Sequence, residues 1–311
     1  MSYKEAISIV IPVYNGEKSI TNLVEHLIDT LSISYHLEIV LVNDCSPDSS
    51  EAVCVSIFEK HKNIVKFLSL SKNVGEHNAV MAGLNNITGD FTVIMDDDFQ
   101  NPVSEVIKLI EFAIQSQNDV VYTYYDKKEH SFFRNLGSRF NDKMATVLLK
   151  KPKDLYLSSF KIINKFLVKE IVKYNLPFPY IDGLILRTTN NIGKLKVKHN
   201  KRTNGASNYT LKKLVSLWMN MFTNFSILPL RFSMIIGFTF SLFGFGYGLF
   251  SIIEKLYNPN LPTGYAALIV LVSVFSGIQL MALGMIGEYL GRMFMSQNKK
   301  PQYSIRKMYT I

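Results

Sequence analysis

Two stretches near the carboxyl end carry no charge: Phe232 to Ile253 and Tyr265 to Gly287. Each corresponds to about 33 Å of helix, against a bilayer hydrocarbon core of about 30 Å. Such a chain either crosses a membrane twice or buries two long apolar helices in a soluble core. The connector Glu254–Gly264 contains Pro259 and Pro262 and only two charges, Glu254 and Lys255. Lys194, Lys196, Lys198, Lys201, Arg202, Lys212, Lys213 and Arg231 precede the pair without an acidic residue, and Arg292, Lys299, Lys300, Arg306 and Lys307 follow it unopposed. Cationic flanks stay on the cytoplasmic side. The expectation is a transmembrane hairpin over 232–291, with spans at 232–253 and 265–287, then a basic cytoplasmic tail at 292–311.

The formal net charge of +9 suits an anionic partner: nucleic acid, anionic lipid or a phosphorylated substrate. Because the cations cluster beside the apolar runs, lipid is expected and nucleic acid is not. The two cysteines, Cys45 and Cys54, exclude a disulfide framework and lack zinc-ligand spacing. The run Ile7–Ile11 is too short for a signal peptide, lacks a basic leader and stops at Pro12. It reads as a first strand, which keeps the amino-terminal domain cytoplasmic.

From there, apolar strands alternate with helical patterns. Strands are expected at 7–13, 38–42, 64–68, 91–95 and 119–124. Between the first two, Ile20, Leu23, Val24, Leu27, Ile28 and Leu31 share one helical face. Further helices carry Val53 to Phe58, Asn78 to Asn85 and Val103 to Ile114. This alternation predicts an α/β domain over 1–210 with a mainly parallel sheet. Ligands of such sheets sit beyond the carboxyl ends of the strands, where Asn15, Asp44 and Asp96–Asp98 fall. Residues 211–231 join it to the hairpin. Leu214, Leu217, Trp218, Met221, Phe222 and Phe225 there suit an interfacial amphipathic helix, or a core helix of the soluble domain. Gly244 and Gly248, and Gly277, Gly284 and Gly291, form small-residue stripes. These allow close packing within the hairpin or between subunits of a homo-oligomer.

Chemistry concentrates in Val93-Ile94-Met95-Asp96-Asp97-Asp98-Phe99-Gln100-Asn101-Pro102. An apolar strand delivers carboxylates to a loop at the sheet edge, where hard oxygen ligands can hold Mg2+ or Mn2+ against a diphosphate. In an extended chain Asp96 and Asp98 point the same way and Asp97 the opposite way. The same acidic triplet alone is also a common solvated turn. Of the isolated residues, His77 reads as a loop residue, and Glu288 as an i,i+4 ion pair with Arg292.

Together with Ile11-Pro12-Val13-Tyr14-Asn15, Val42-Asn43-Asp44-Cys45-Ser46, Lys72-Asn73-Val74-Gly75 and Gly89-Asp90, this loop resembles the family 2 glycosyltransferases and their GT-A nucleotide-sugar-binding fold. The resemblance implies that Pro12, Tyr14, Asn15, Asp44 and Asp97 line the nucleotide pocket. It also implies that Asp96 and Asp98, with Gln100, hold the metal at the catalytic centre. Asn43-Asp44-Cys45 stands where Asp-Asp-Gly is commoner, which leaves the base open although a UDP-sugar is expected.

Gln100, Phe133 to Asn141, Ser158-Ser159-Phe160-Lys161, His199 to Tyr209 and Gly287 to Arg292 make the chain similar to the polyprenyl-phosphate branch of that family. That branch includes dolichol-phosphate mannose synthases and undecaprenyl-phosphate glucosyl and aminoarabinose transferases. The implied reaction is inverting transfer of a sugar from a nucleotide to polyprenyl phosphate at a bacterial inner membrane. Arg202, Ser207 and Tyr209 would form a lid on the donor diphosphate, or simply a basic linker. Arg134 and Arg139 would receive the lipid phosphate or face anionic lipid, and Lys161 joins the phosphate-binding set. Many relatives have aspartate and arginine where this chain has Ser159 and Lys161, so no carboxylate base is evident. A phosphate monoester needs none, since its second pKa is about 6, whereas a sugar hydroxyl does. Two rival readings follow: a family 2 enzyme acting on a glycan hydroxyl, and a non-catalytic membrane scaffold or lipid-translocating subunit.

Overall fold

The computed structural model describes residues 5–125, 146, 151–198, 228–258, 264–298 and 301–310. It comprises two units, residues 1–214 with 299–311, and residues 215–298.

In the first unit, β1 (Ala6–Val13), β2 (His36–Asn43), β3 (Val65–Leu70), β4 (Phe91–Ile94), β5 (Val120–Tyr124), β6 (Lys161–Asn164), β7 (Ile192–Lys196) and β8 (Ile305–Tyr309) make one sheet. Its order is β7-β5-β6-β4-β1-β2-β3-β8. β1, β2, β3 and β4 are mutually parallel, and β5 pairs parallel with β7. β6 is antiparallel to β4 and β5, and β8 antiparallel to β3. The sheet is therefore mainly parallel, as the alternation predicts. Ile9, Val10, Ile11 and Ile39 to Val42 are fully buried, the pattern of strands covered on both faces.

The helices are α1 (Ile20–Leu31), α2 (Ser50–Lys60), α3 (Glu76–Leu84), α4 (Val103–Ser116), α5 (Lys165–Ile171) and α6 (Ile181–Thr188). α1 buries the six residues that share its apolar face. His77 is not in a loop but in the first turn of α3. The antiparallel strands have a positional consequence. β6 begins with Lys161 opposite Ile94, so the segment entering it lies beside the carboxyl end of β4. β8 begins with Ile305 opposite Leu70, so it enters at the same edge.

The opposite end of β1 is fixed by a buried polar cluster. Ser8 Oγ donates to Glu38 Oε2 at 2.5 Å, and Gly89 N–H donates to Ser8 Oγ at 2.9 Å. Lys66 Nζ lies 2.6 Å from Glu38 Oε1. A Cβ on Gly89 would stand 2.7 Å from Ser8 N and 2.9 Å from the Ala6 carbonyl oxygen. Gly89 therefore answers to packing against β1.

The second unit holds α7 (Leu228–Tyr257) and α8 (Tyr265–Gln297), both longer than the spans read from the sequence. Each contains a segment long and apolar enough to cross a membrane, Ser233–Phe250 and Val274–Gln297. Phe243 is 73% exposed and Met281 70%, whereas a soluble core helix would bury such side chains. Phe240 meets Phe275 edge to face at 6.2 Å, and a Cβ on Gly244 would lie 3.5 Å from Phe275 Cζ. Among the described residues, a Cβ at Gly248, Gly277, Gly284 or Gly291 would meet nothing within 4 Å, so Gly244 is the stripe glycine set against the facing helix. The Glu288–Arg292 ion pair forms at 2.8 Å.

The segment 292–311 is not a separate basic tail. α8 continues to Gln297, and Ile305–Tyr309 pair with β3 because Tyr309 stacks on Phe67 at 5.6 Å. Residues 211–227, the greater part of the expected amphipathic segment, lie outside the described residues.

Candidate active site

The loops after β1, β2 and β4 meet at the carboxyl edge of the parallel strands. Pro12 is the half-buried penultimate residue of β1, paired with Val42. Beyond it Asn15 adopts a positive φ of 59°, turning the chain so that its N–H reaches Ser46 Oγ at 3.2 Å. Tyr14 N–H donates to Asp97 Oδ2 at 3.3 Å while its ring is exposed. A Cβ on Gly16 would stand 2.4 Å from that same carboxylate oxygen, so glycine is what lets Asp97 close over the first loop. Tyr14, Asn15 and Asp97 are thereby brought together.

Asp44 is buried, and its two oxygens accept the N–H groups of Val74 at 2.8 Å and Gly75 at 2.9 Å. Asn73 Nδ2 donates to the Asp44 carbonyl at 3.2 Å. Burial raises the Asp44 pKa, against the lowering effect of the two amides. Gly75, at φ 88°, turns this loop into α3. Asp44 thus fastens the loop Lys72-Asn73-Val74-Gly75 to the end of β2, a use of both motifs that neither shows alone.

Asp96 and Asp98 leave β4 half-buried. Ser159, on the segment entering β6, donates from Oγ to Asp96 Oδ2 at 2.7 Å. Asp98 Oδ1 accepts Gln100 N–H at 3.1 Å. Phe99 between them has φ 60°, uncommon for an aromatic residue, and is held edge-on against His26 at 5.6 Å. Asn101 is buried and accepts Tyr125 Oη–H at 3.2 Å, tying the acidic loop to the chain after β5.

Burial pushes Asp96 up to about 7; the Glu76 carboxylate and Asp98 add to the rise, and Ser159 and Lys161 oppose it. The pKa of Glu76 is itself raised, chiefly by burial. His77 is lowered to about 4 by desolvation, which keeps it neutral near pH 7, and its ring meets Tyr180 edge-on at 5.0 Å. Lys161 is only 3% exposed, and its ammonium pairs with Asp182 in the first turn of α6. Tyr122 Oη donates to the same carboxylate at 2.8 Å, and Lys161 Nζ sits 5.0 Å from the Tyr122 ring centre. The charge of Lys161 is committed inside the domain, beneath Asp96. It is not presented at the surface as the phosphate-binding assignment requires.

Among the described residues no group of three or more His, Cys, Asp or Glu side chains converges on one point. Asp96 and Asp98, with one residue between them, are hard oxygen ligands of the kind a divalent cation takes together with water and a diphosphate. They do not fit a closed protein cage. Arg134, Arg139, Arg202, Ser207 and Tyr209 lie outside the described residues. Glu76, Tyr122 and Asp182 escape a motif reading because their partners sit on other elements; the one hint is a lysine leading an apolar strand.

Residues 8–172 match the family model described as Glycosyl transferase family 2. The chain is 31% identical over 307 residues to an undecaprenyl-phosphate 4-deoxy-4-formamido-L-arabinose transferase of Sodalis glossinidius, covering 97% of this chain and 93% of that one. It is 31% identical over 305 residues to the enzyme of that name from Edwardsiella ictaluri, covering 97% and 94%. Solved structures share the fold at low identity. Mannosyl-3-phosphoglycerate synthase from Rubrobacter xylanophilus gives a TM-score of 0.53 at 12% identity, over 70% of this chain and 71% of that one. Glucosyl-3-phosphoglycerate synthase from Mycobacterium tuberculosis, in complex with Mn2+, UDP and phosphoglyceric acid, gives 0.52 at 15%, over 70% and 78%. Strand order, acidic edge and sequence agree: the chain belongs to glycosyl transferase family 2.

Proposed function

We propose that the protein transfers a sugar from a nucleotide sugar to undecaprenyl phosphate, with inversion at the anomeric carbon. The observation that carries this is near full-length similarity to enzymes named for that acceptor, in a chain that joins the acidic sheet edge to two membrane-length helices.

In this reading Pro12, Tyr14, Asn15, Asp44 and Asp97 receive the nucleotide, with UDP the favoured carrier. Asp96 and Asp98, with Gln100 as a further oxygen donor, hold Mg2+ or Mn2+, which when bound supplies positive charge against the departing diphosphate. Arg134, Arg139, Arg202, Ser207 and Tyr209 belong to the phosphate-binding set. Lys161 acts from below as a counter-charge to the carboxylates. The acceptor phosphate is largely dianionic at neutral pH and attacks without a protein base. That agrees with the hydroxyl of Ser159, rather than a carboxylate, beside Asp96.

Connectivity supports a one-sided arrangement of the chain ends. β1 and β8 belong to one sheet, so the chain before and after the hairpin lies on one side of the bilayer. The unopposed basic flanks favour the cytoplasmic side.

The test is transfer by purified protein with Mg2+ or Mn2+, undecaprenyl phosphate and a panel of labelled nucleotide sugars, following label into organic solvent. Label that moves only with metal and lipid phosphate, and is abolished by Asp96→Ala and by Asp98→Ala in folded protein, supports the reading. Equal transfer to a soluble sugar hydroxyl replaces the acceptor. Absence of metal-dependent nucleotide binding returns the non-catalytic scaffold.

A further inference from the structure

The segment 302–309 is stitched to the first unit at separate points. Gln302 Nε2 donates to the carbonyls of Tyr174 at 2.7 Å and Leu176 at 2.8 Å. Ser71 N–H donates to the Ser304 carbonyl at 2.8 Å, and Arg306 Nη2 donates to the Ser71 carbonyl at 3.1 Å. Lys307 Nζ reaches Glu51 at 2.8 Å, and Glu51 also accepts from Ser69 Oγ at 3.0 Å. Tyr309 packs on Phe58 and Phe67 at 5.4 and 5.6 Å.

Both backbone groups of Ser71 are therefore held by this segment, and Ser71 is where β3 gives way to the loop Lys72–Gly75. The far end of that loop delivers the Val74 and Gly75 N–H groups to Asp44. A loop of four residues fixed at both ends has little freedom left. With its first anchor released, the two amides lose their approach to the carboxylate, and Asp44 is left buried with unmatched lone pairs. A cover for the β3 edge alone needs only the ladder and Tyr309. The Arg306 and Gln302 bonds lie outside the β3–β8 ladder and reach loop carbonyls.

We propose that residues 302–306 form a clasp that sets the Lys72–Gly75 loop on Asp44, making Arg306 a positioning residue for nucleotide binding by a segment that follows both apolar helices in the chain. This rests on the reading of Asp44 and its neighbours as the nucleotide side of the site.

Two readouts separate the clasp from that reading. The first is amide hydrogen exchange at Val74 and Gly75 in the full-length protein, wild type against Arg306→Ala, Arg306→Lys and Lys307→Ala. Arg306→Ala should raise exchange at both amides about 3- to 10-fold, the scale of one hydrogen bond. Arg306→Lys should restore part of the protection, and Lys307→Ala should leave it near wild type. The second readout is UDP affinity and donor KM, which Arg306→Ala should weaken by a similar factor with kcat and Tm close to wild type. Unchanged exchange at Val74 and Gly75 in Arg306→Ala, and again in the double variant with Gln302→Ala, overturns the clasp. Increased exchange with no nucleotide binding by the wild type leaves the clasp standing and overturns the nucleotide reading.

Discussion

Ser159 Oγ donates to Oδ2 of Asp96 at 2.7 Å across 63 residues of chain. Antiparallel entry of β6 beside β4 produces this contact, and it favours the ionised carboxylate in a setting where burial disfavours it. Ser159→Ala should lower kcat/KM about 10- to 100-fold, the scale of one hydrogen bond to a charged group, and raise the metal concentration needed for half-maximal rate. Metal titration of the transfer rate checks this; an unchanged titration curve would remove Ser159 from the site.

Glu38 supplies a pH-dependent part of stability. Burial opposes its ionisation, but Lys66, Ser8 and the Thr88 N–H outweigh that and hold its pKa below the ordinary value. A depressed folded-state pKa means the contribution is full above the unfolded value of about 4.3 and fades as pH falls through the folded one. Glu38→Gln should cost about 3 kcal/mol at pH 7, because Lys66 is left buried without its counter-charge. Melting curves from pH 7 down to pH 3 should show the gap to wild type narrowing below about pH 4.

Gly89→Ala should destabilise the first unit by about 2–4 kcal/mol, since its methyl would press on backbone atoms of β1 that cannot step aside. Gly248→Ala, inside a helix where a Cβ meets nothing within 4 Å, should cause no loss of stability. Denaturation of the two variants side by side is the comparison; equal melting would contradict the packing at Gly89.

The two thiols should separate cleanly. Cys54 is buried and its pKa is pushed up to about 12, chiefly by burial, whereas Cys45 is exposed. Alkylation at pH 8 should modify Cys45 alone, and Cys54 should react only in denaturant. Mass spectrometry of the labelled peptides decides it, with Cys54 labelled in folded protein as the contrary result.

The legible parts of the sequence were those whose partners repeat along one element. The α1 face shows in spacing alone, and β1, β2 and β4 show as apolar runs ending in polar turns. The acidic loop was legible because three carboxylates stand together. β6 was not: it has four residues, and its leading Lys161 looks like a surface cation until Asp182, 21 residues on, is placed beside it. The role of Asp44 could be guessed as a ligand contact, but its hold on Val74 and Gly75 depends on a turn formed 30 residues later. β8 read as a basic tail because Arg306 and Lys307 are the residues an edge strand tolerates. Its partner strand is met more than 200 residues earlier in the chain.

That separation bears on how the protein is made. Arg306 and Ser71 lie 235 residues apart, so the outer edge of β3 has no partner until both apolar helices have been synthesised. Throughout that interval Val65–Leu70 offers unpaired backbone groups to any neighbouring chain. A chain cut short in the Glu254–Gly264 connector therefore keeps a sheet with an open, adhesive border. Closure of that border is a record that the whole hairpin has been translated.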